Sequence, residues 1–298
     1  MSQAYSISIR KPFGLARICR EWGRARSSVY ARRHNGAASA QPPAKRGPKT
    51  RYSDDALTGE IRRAIRGSPF TGEGYRKVWA RLRQRGVPAG KPRVLRLMRE
   101  AGLLAPSRAG RRRGPDIHDG TIITEAPDVM WATDATTTWL PSHGQVTVFA
   151  LVDHGTDECL GLHAAKPGTR FEALEPIRQA VRGVFGAFHQ GIADGLALRH
   201  DHGSQYMADD FQREIRFLGM TSSPAFVYAP EGNGVVERFF RTLKEQFLWC
   251  HDCSTLDELN DQLQQWRQRY NEQWLIQRHG HRSPAAARWA FQALDAAA

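Results

Sequence analysis

After Pro127 the chain changes texture, and that change constrains its fold more than any other feature. Met130–Leu140 (MWATDATTTWL) is dense in Thr and Trp, and Gln145–Asp153 (QVTVFALVD) is apolar and β-branched. Both read as strands, the second buried, and Cys159–Ala165 reads as a third. The short gaps between them predict an antiparallel meander. Arg170–Phe188 reads as a helix with Leu174, Ile177, Val181 and Phe185 inward. Leu196–Asp201 is expected as a fourth strand, Asp209–Leu218 as a helix and Met220–Phe226 as a short fifth strand. Val235–Trp249 follows as a long helix with Val236, Phe239, Phe240, Leu243 and Phe247 as its inner stripe. This order predicts an α/β core, a mixed five-stranded sheet with helices packed on it, and then a helical tail.

The front of the chain is helical. Leu15, Ile18, Cys19 and Trp22 fall on one helix face, Gly23 breaks the pattern, and Ser27 or Ser28 is expected to cap a second helix bearing Arg32 and Arg33. Residues 36–50 are a Pro/Ala/Lys linker. From about 54 to 104 come three apolar stripes: Ile61, Ala64 and Ile65; then Tyr75, Val78, Trp79 and Leu82; then Val94, Leu95, Leu97 and Met98. The Gly86-Val87-Pro88 turn between the last two fits a helix-turn-helix. Arg76, Lys77, Arg93 and Arg96 lie among the apolar positions as candidate DNA contacts. Residues 105–126 form a basic linker with the run Arg111-Arg112-Arg113.

Charge supports this division. Residues 1–113 hold 28 of the 43 Lys and Arg but 6 of the 30 Asp and Glu, whereas the remainder is net acidic. A basic front third is the expected footprint for phosphates. The hydrophobic share of 41% supports a real core. No run of about 18 apolar residues suggests a spanning helix, and the first ten residues lack a signal-type apolar stretch. Four cysteines in 298 residues are too few for a disulfide scaffold. The expectation is a soluble cytoplasmic protein, associated with the nucleoid, that meets a polyanion.

Three acids stand out. Asp134 lies within the first strand of the core. Asp201 ends the fourth, just before His202-Gly203-Ser204-Gln205-Tyr206. Glu237 opens the long helix after Glu231-Gly232-Asn233-Gly234, with Arg241 and Lys244 at +4 and +7 on its own face. Carboxylates gathered at one point repel unless a cation binds between them. Two Mg²⁺ ions held by oxygen ligands suit phosphodiester chemistry.

The motifs WATDAT, HDHGSQY and EGNGVVERFFRTLKE, with Asp201 and Glu237 separated by 35 residues, resemble those of the IS3-family transposases, which have a DDE core of retroviral-integrase type. The resemblance runs over nearly the whole chain, including Tyr270-Asn271 and Ser283-Pro284 in the tail. It implies an RNase H-like core at 127–250, preceded by helical segments at 1–35 and 51–104 and followed by a tail at 251–298. It also implies that Asp134, Asp201 and Glu237 bind two Mg²⁺ or Mn²⁺ ions and catalyse strand cleavage and transfer. The implied partner is double-stranded DNA at the element's inverted repeats and at the target. Lys244 matches a position that contacts DNA near the element ends. A homo-multimer on paired ends and a frameshift-fused upstream product are further implied partners. Where many members have Ser-Asp-Gln or Ser-Asp-Arg, this chain has His200-Asp201-His202.

Other residues read more plainly. Asp153 and Asp157 are expected to be solvated turn acids. His200 and His202 share the face opposite Asp201, which suits packing or support. Cys250 and Cys253 form a lone CxxC, where structural zinc usually needs two such pairs. Tyr206 and Gln205 fit either a DNA contact or a helix cap, and Trp131, Trp139 and Trp249 are expected in the core. Two other functions compete: a non-catalytic DNA-binding regulator, against which the intact acid triad speaks, and an RNase H-like nuclease without joining activity, which needs no element-recognising front.

Overall fold

The computed structural model describes residues 4–8, 10–37, 50–106, 122, 124–225 and 234–295, with the side chains of 34–37 and 295 excepted. The Arg111–Arg113 run, most of both linkers, Phe226 and Glu231 to Asn233 lie outside the described residues. The chain divides into two compact units, Met1–Arg51 and Tyr52–Ala298.

The first unit holds α1 (Leu15–Glu21) and α2 (Arg26–Ala37). Cys19 is its one buried apolar side chain among the described residues, and Trp22, expected on an inner face, is exposed. A seven-residue helix presents too little apolar surface to cover a Trp two turns along. The second helix starts at Arg26, so Ser27 and Ser28 stand inside its first turn and do not cap it.

The second unit opens with three helices, α3 (Asp54–Arg66), α4 (Tyr75–Gln84) and α5 (Lys91–Glu100). Ser53 caps α3 by accepting the Ala56 amide at 3.1 Å. The stripes meet as read, with Leu57, Ile61, Ala64, Val78, Leu82, Val94, Leu97 and Met98 in one cluster. Leu95 falls outside the buried set, because its position turns it off the face shared by Val94, Leu97 and Met98.

The core sheet is β1 (Met130–Leu140), β2 (Gly144–Asp153), β3 (Cys159–Ala165), β4 (Ala197–His200) and β5 (Thr221–Pro224), in the order β3-β2-β1-β4-β5. The first three form the antiparallel meander, while β4 runs parallel to β1 and to β5. Alternation along the strands sends Trp131, Phe149 and Leu151 to one face, against α6 (Arg170–Phe185) and α8 (Asp209–Phe217). Ala132, Val148, Ala150 and Val152 go to the other, against α9 (Gly234–Leu243) and α10 (Leu256–Gln273). Helix α6 stops earlier than its sequence suggests, because Gly186 takes a left-handed conformation at φ 72°. The short α7 (Ser204–Met207) and the last helix, α11 (Pro284–Asp295), complete the set.

The tail is woven into this core. Strand β3 is a sheet edge, and its outward backbone groups would otherwise be bare. Four side chains along α10 cover them. Asn260 binds both the amide and the carbonyl of Ala164, Gln264 the carbonyl of Leu162, Arg267 that of Leu160, and Asn271 both groups of Cys159, at 2.6–2.9 Å. Spacings of 4, 3 and 4 keep the four on one helix face.

Two expected core tryptophans are surface residues: Trp131 is fully buried, but Trp139 and Trp249 are more than two-thirds exposed. Trp139 pairs with Gln145, beyond the last β2–β3 pair at Thr147 and Ala165, where the sheet has no cover. Asp153 and Asp157 are also corrected. Both are buried. Asp153 accepts the Asp128 and Thr156 amides and the Thr156 hydroxyl, and Asp157 pairs with Arg278 and His279 of the tail. They lock the β2–β3 turn and do not join the other acids.

Candidate active site

Strands β1 and β4 set Ala132 level with Arg199. Asp134 lies two residues beyond Ala132 on the same face of β1, and Asp201 directly follows the end of the neighbouring β4. That face meets α9. Val236, Phe239, Phe240 and Leu243 pack against it, while Glu237, Arg238 and Arg241 are exposed. Amphipathicity thus fixes the rotation of the helix and leaves its third acid at the edge of the packed face.

The acids feel one another. The Asp134 carboxyl is pushed up to about 6, first by burial and then by Asp201 and Glu237; the Ala135 amide and Lys244 pull the other way. Asp134 Oδ1 accepts the Ala135 amide at 2.8 Å and Asp201 Oδ1 the Gly203 amide at 2.7 Å. Each aspartate therefore keeps its second carboxylate oxygen for another ligand. Gly203 is required here, since a Cβ on it would stand 2.8 Å from Asp201 Oδ1 and 2.6 Å from Gln205 Nε2. Lys244 begins a π-helical turn, Lys244–Leu248, where the sequence suggested one continuous α-helix. From that turn Gln246 exchanges two hydrogen bonds with the backbone of Thr71, at 2.9 and 3.0 Å.

His200 packs against Tyr206 and Phe211 on the opposite face. Its Nδ1 lies 2.6 Å from the Asp201 carbonyl, so Nδ1–H donates there and Nε2 accepts from the Ser222 hydroxyl at 2.8 Å. Burial lowers its pKa, which agrees with a neutral, supporting ring. Tyr206 is fully buried, which removes it as a DNA contact, and His202 is exposed.

The DNA candidates of the helical block divide. Arg76 is exposed and reaches Gln277 at 3.1 Å. The Lys77 ammonium lies over the Trp274 ring, 2.8 Å from its centroid. Arg93 is held by Asp54 and the Tyr52 carbonyl, and Arg96 bridges Asp54 and Glu100. Lys77 and Arg93 are thus committed within the protein, because acids and aromatics distant in sequence reach them first. Arg238, next to Glu237, went unnoticed in the sequence because it lies about 100° around the helix from the Glu-Arg-Lys face.

Two family models match the chain: an HTH-like domain over residues 53–112 and an integrase core domain over 218–284. The transposase InsD for insertion element IS2A/D/F/H/I/K of Escherichia coli is 25% identical over 213 residues, covering 68% of each chain. InsD for insertion element IS2D of E. coli K12 matches equally. Among solved structures, the catalytic core of BIV integrase aligns at 20% identity with a TM-score of 0.43, over 56% of this chain and 98% of that one. The HTLV-2 integrase catalytic core in complex with magnesium aligns at 18% and 0.41, over 56% and 97%.

The mixed sheet, the integrase core and the transposase relatives define the class: a DDE-type polynucleotidyl transferase. Within that class the chain is similar to insertion-element transposases, with an HTH-like domain ahead of an integrase core domain. Among the described residues no helix is long and apolar enough to cross a membrane.

Proposed function

We propose that Asp134, Asp201 and Glu237 are the catalytic acids, and that the protein cuts at the ends of its element and joins them to target DNA. The observation that supports this reading is the mutual influence of the three acids, with Asp134 raised to about 6 by burial first and then by Asp201 and Glu237. An all-carboxylate set with two free oxygens suits a hard divalent cation. Among the described residues, no three potential ligands stand close enough together to form a metal site. Asp134 and Asp201 would hold the ions, with Glu237 as the third ligand. When bound, two Mg²⁺ or Mn²⁺ ions supply activation of the attacking oxygen and stabilisation of the leaving one.

The protein's own part is to position. The Ala135 and Gly203 amides fix the two aspartates. Lys244 offsets carboxylate charge, and Arg241 and Lys244 face the DNA backbone. Cleavage by water exposes a 3′-OH at the element end, and that hydroxyl then attacks a target phosphodiester in line, forming a new P–O bond and expelling the 3′-oxygen of the cut target strand. The helical segments at 1–35 and 51–104 would bind the inverted repeats and the core at 127–250 would cut, with copies assembled on paired ends. A frameshift-fused upstream product would add recognition of the ends.

The test is nicking of supercoiled plasmid with Mg²⁺, Mn²⁺, Ca²⁺ or EDTA, comparing the protein with Glu237→Gln. Nicking in Mg²⁺ or Mn²⁺ should vanish in EDTA and fall at least about 10³-fold in the variant, with plasmid binding kept. Undiminished nicking by Glu237→Gln would remove it from the site. Tight binding without any nicking would favour a regulator or a chain that needs its fusion partner, and a fused protein would separate those two.

A further inference from the structure

Most buried or half-buried guanidinium groups of the second unit have an acid. Arg81 has Glu73, Arg178 has Glu214, Arg278 has Asp157, and Arg288 has Asp128 and Glu158. Arg238 and Arg241 differ. They are exposed, one turn apart on α9, and neither makes an ion pair among the described residues. Like charges at that spacing repel, so an anion between them would be favoured. Both open onto a cavity of about 580 Å³ between α9 and the tail. The one acid in its lining is Asp157, already held by Arg278 and His279. Lys77 and Gln277 form part of the far wall, and Gln277 accepts from Arg76, so the cavity joins the catalytic helix to the three-helix block. It begins one residue from Glu237.

We propose that this cleft binds a phosphodiester of the substrate DNA, with Arg238 and Arg241 on its phosphate oxygens. This rests on the reading of Glu237 as a catalytic acid. It adds Arg238 as a DNA-positioning residue on a helix face separate from that of Lys244. The cleft suits DNA backbone because its cations are side by side and solvated at the mouth, and its one acid, Asp157, is already paired with Arg278 and His279. Guanidinium forks match phosphate oxygens in pairs.

The test uses the full chain with Arg238→Ala and Arg238→Lys. Arg213→Ala is the control: Arg213 is 69% exposed on α8 and pairs with Asp210 at the surface. Binding to a random-sequence duplex is measured across a salt series without divalent metal, and plasmid nicking is measured with Mg²⁺. Arg238→Ala should reduce the slope of log affinity against log salt by about 0.9, the value of one phosphate. It should raise KM about fivefold while leaving kcat within about twofold, the signature of lost uniform binding. Arg238→Lys should keep most of the slope, and Arg213→Ala all of it. A wild-type slope and KM in Arg238→Ala, or an equal loss in Arg213→Ala, would overturn the proposal. If the wild-type protein does not nick, the catalytic reading fails, while the salt slope still decides whether the cleft binds phosphate.

Discussion

The three-helix block and α9 both carry several arginines and use them in opposite ways. In the block, Arg81 grips Glu73 at 2.5 and 2.8 Å, and Arg93 and Arg96 converge on Asp54. On α9, Arg238 and Arg241 have no acid partner among the described residues. These three arginines of the block are bound within it, and those of α9 are left open. Cation density therefore locates an interface poorly until the acids that fold back onto it are known.

The sharpest test of this contrast is a pair of alanine substitutions. Arg81→Ala strands Glu73, whose side chain is 3% exposed. That should cost about 3 kcal/mol, read as a lower urea midpoint at unchanged m-value, with the DNA affinity of folded protein kept within about twofold. Arg238→Ala should do the reverse, changing DNA affinity while stability stays within about 0.5 kcal/mol. If Arg81→Ala lost under about 1 kcal/mol and weakened DNA binding instead, the two regions would not differ as described.

A smaller effect is expected at Asp134, and it has the opposite sign. A carboxyl raised to about 6 from 3.8 costs the fold stability when ionised. That cost is present in full above pH 6 and disappears as pH falls below 4. Without divalent metal, Asp134→Asn should therefore unfold later than wild type at pH 8, by about 2–3 kcal/mol, and match it near pH 4. An equal gain at both pH values would mean that charge is not the cause. The smallest effect belongs to the sheet edge. Asn271→Ala removes two hydrogen bonds to Cys159 and should cost about 1 kcal/mol without changing nicking. A change in metal-dependent activity would tie the tail to the catalytic site more closely than the edge contacts imply.

The elements that carry the three acids could be read in advance because they are written in local pattern. WATDAT, HDHGSQY and the Glu-Arg-Lys helix carry their acids on strands and a helix whose periodicity shows which side packs. The inner stripe of α9 is buried as its spacing requires. What escaped notice depended on distant partners. Asp153 and Asp157 look like ordinary turn acids until the tail brings Arg278 and Arg288 nearby. Lys77 looks like a free cation until Trp274 lies beneath it. The π turn, with Gln246 bound to Thr71 across 175 residues, leaves no mark in hydropathy.

The sequence by itself determined the order of strands and helices, their buried faces and the three acids, because periods of 2 and 3.6 and the choice of residue at a strand end are properties of neighbouring residues. Only the tertiary structure decided which acids come near enough to feel one another, which cations are neutralised and which remain open, and how the tail closes the edge of β3. Those outcomes depend on pairs far apart in the chain, which meet only when sheet register and helix packing bring them together.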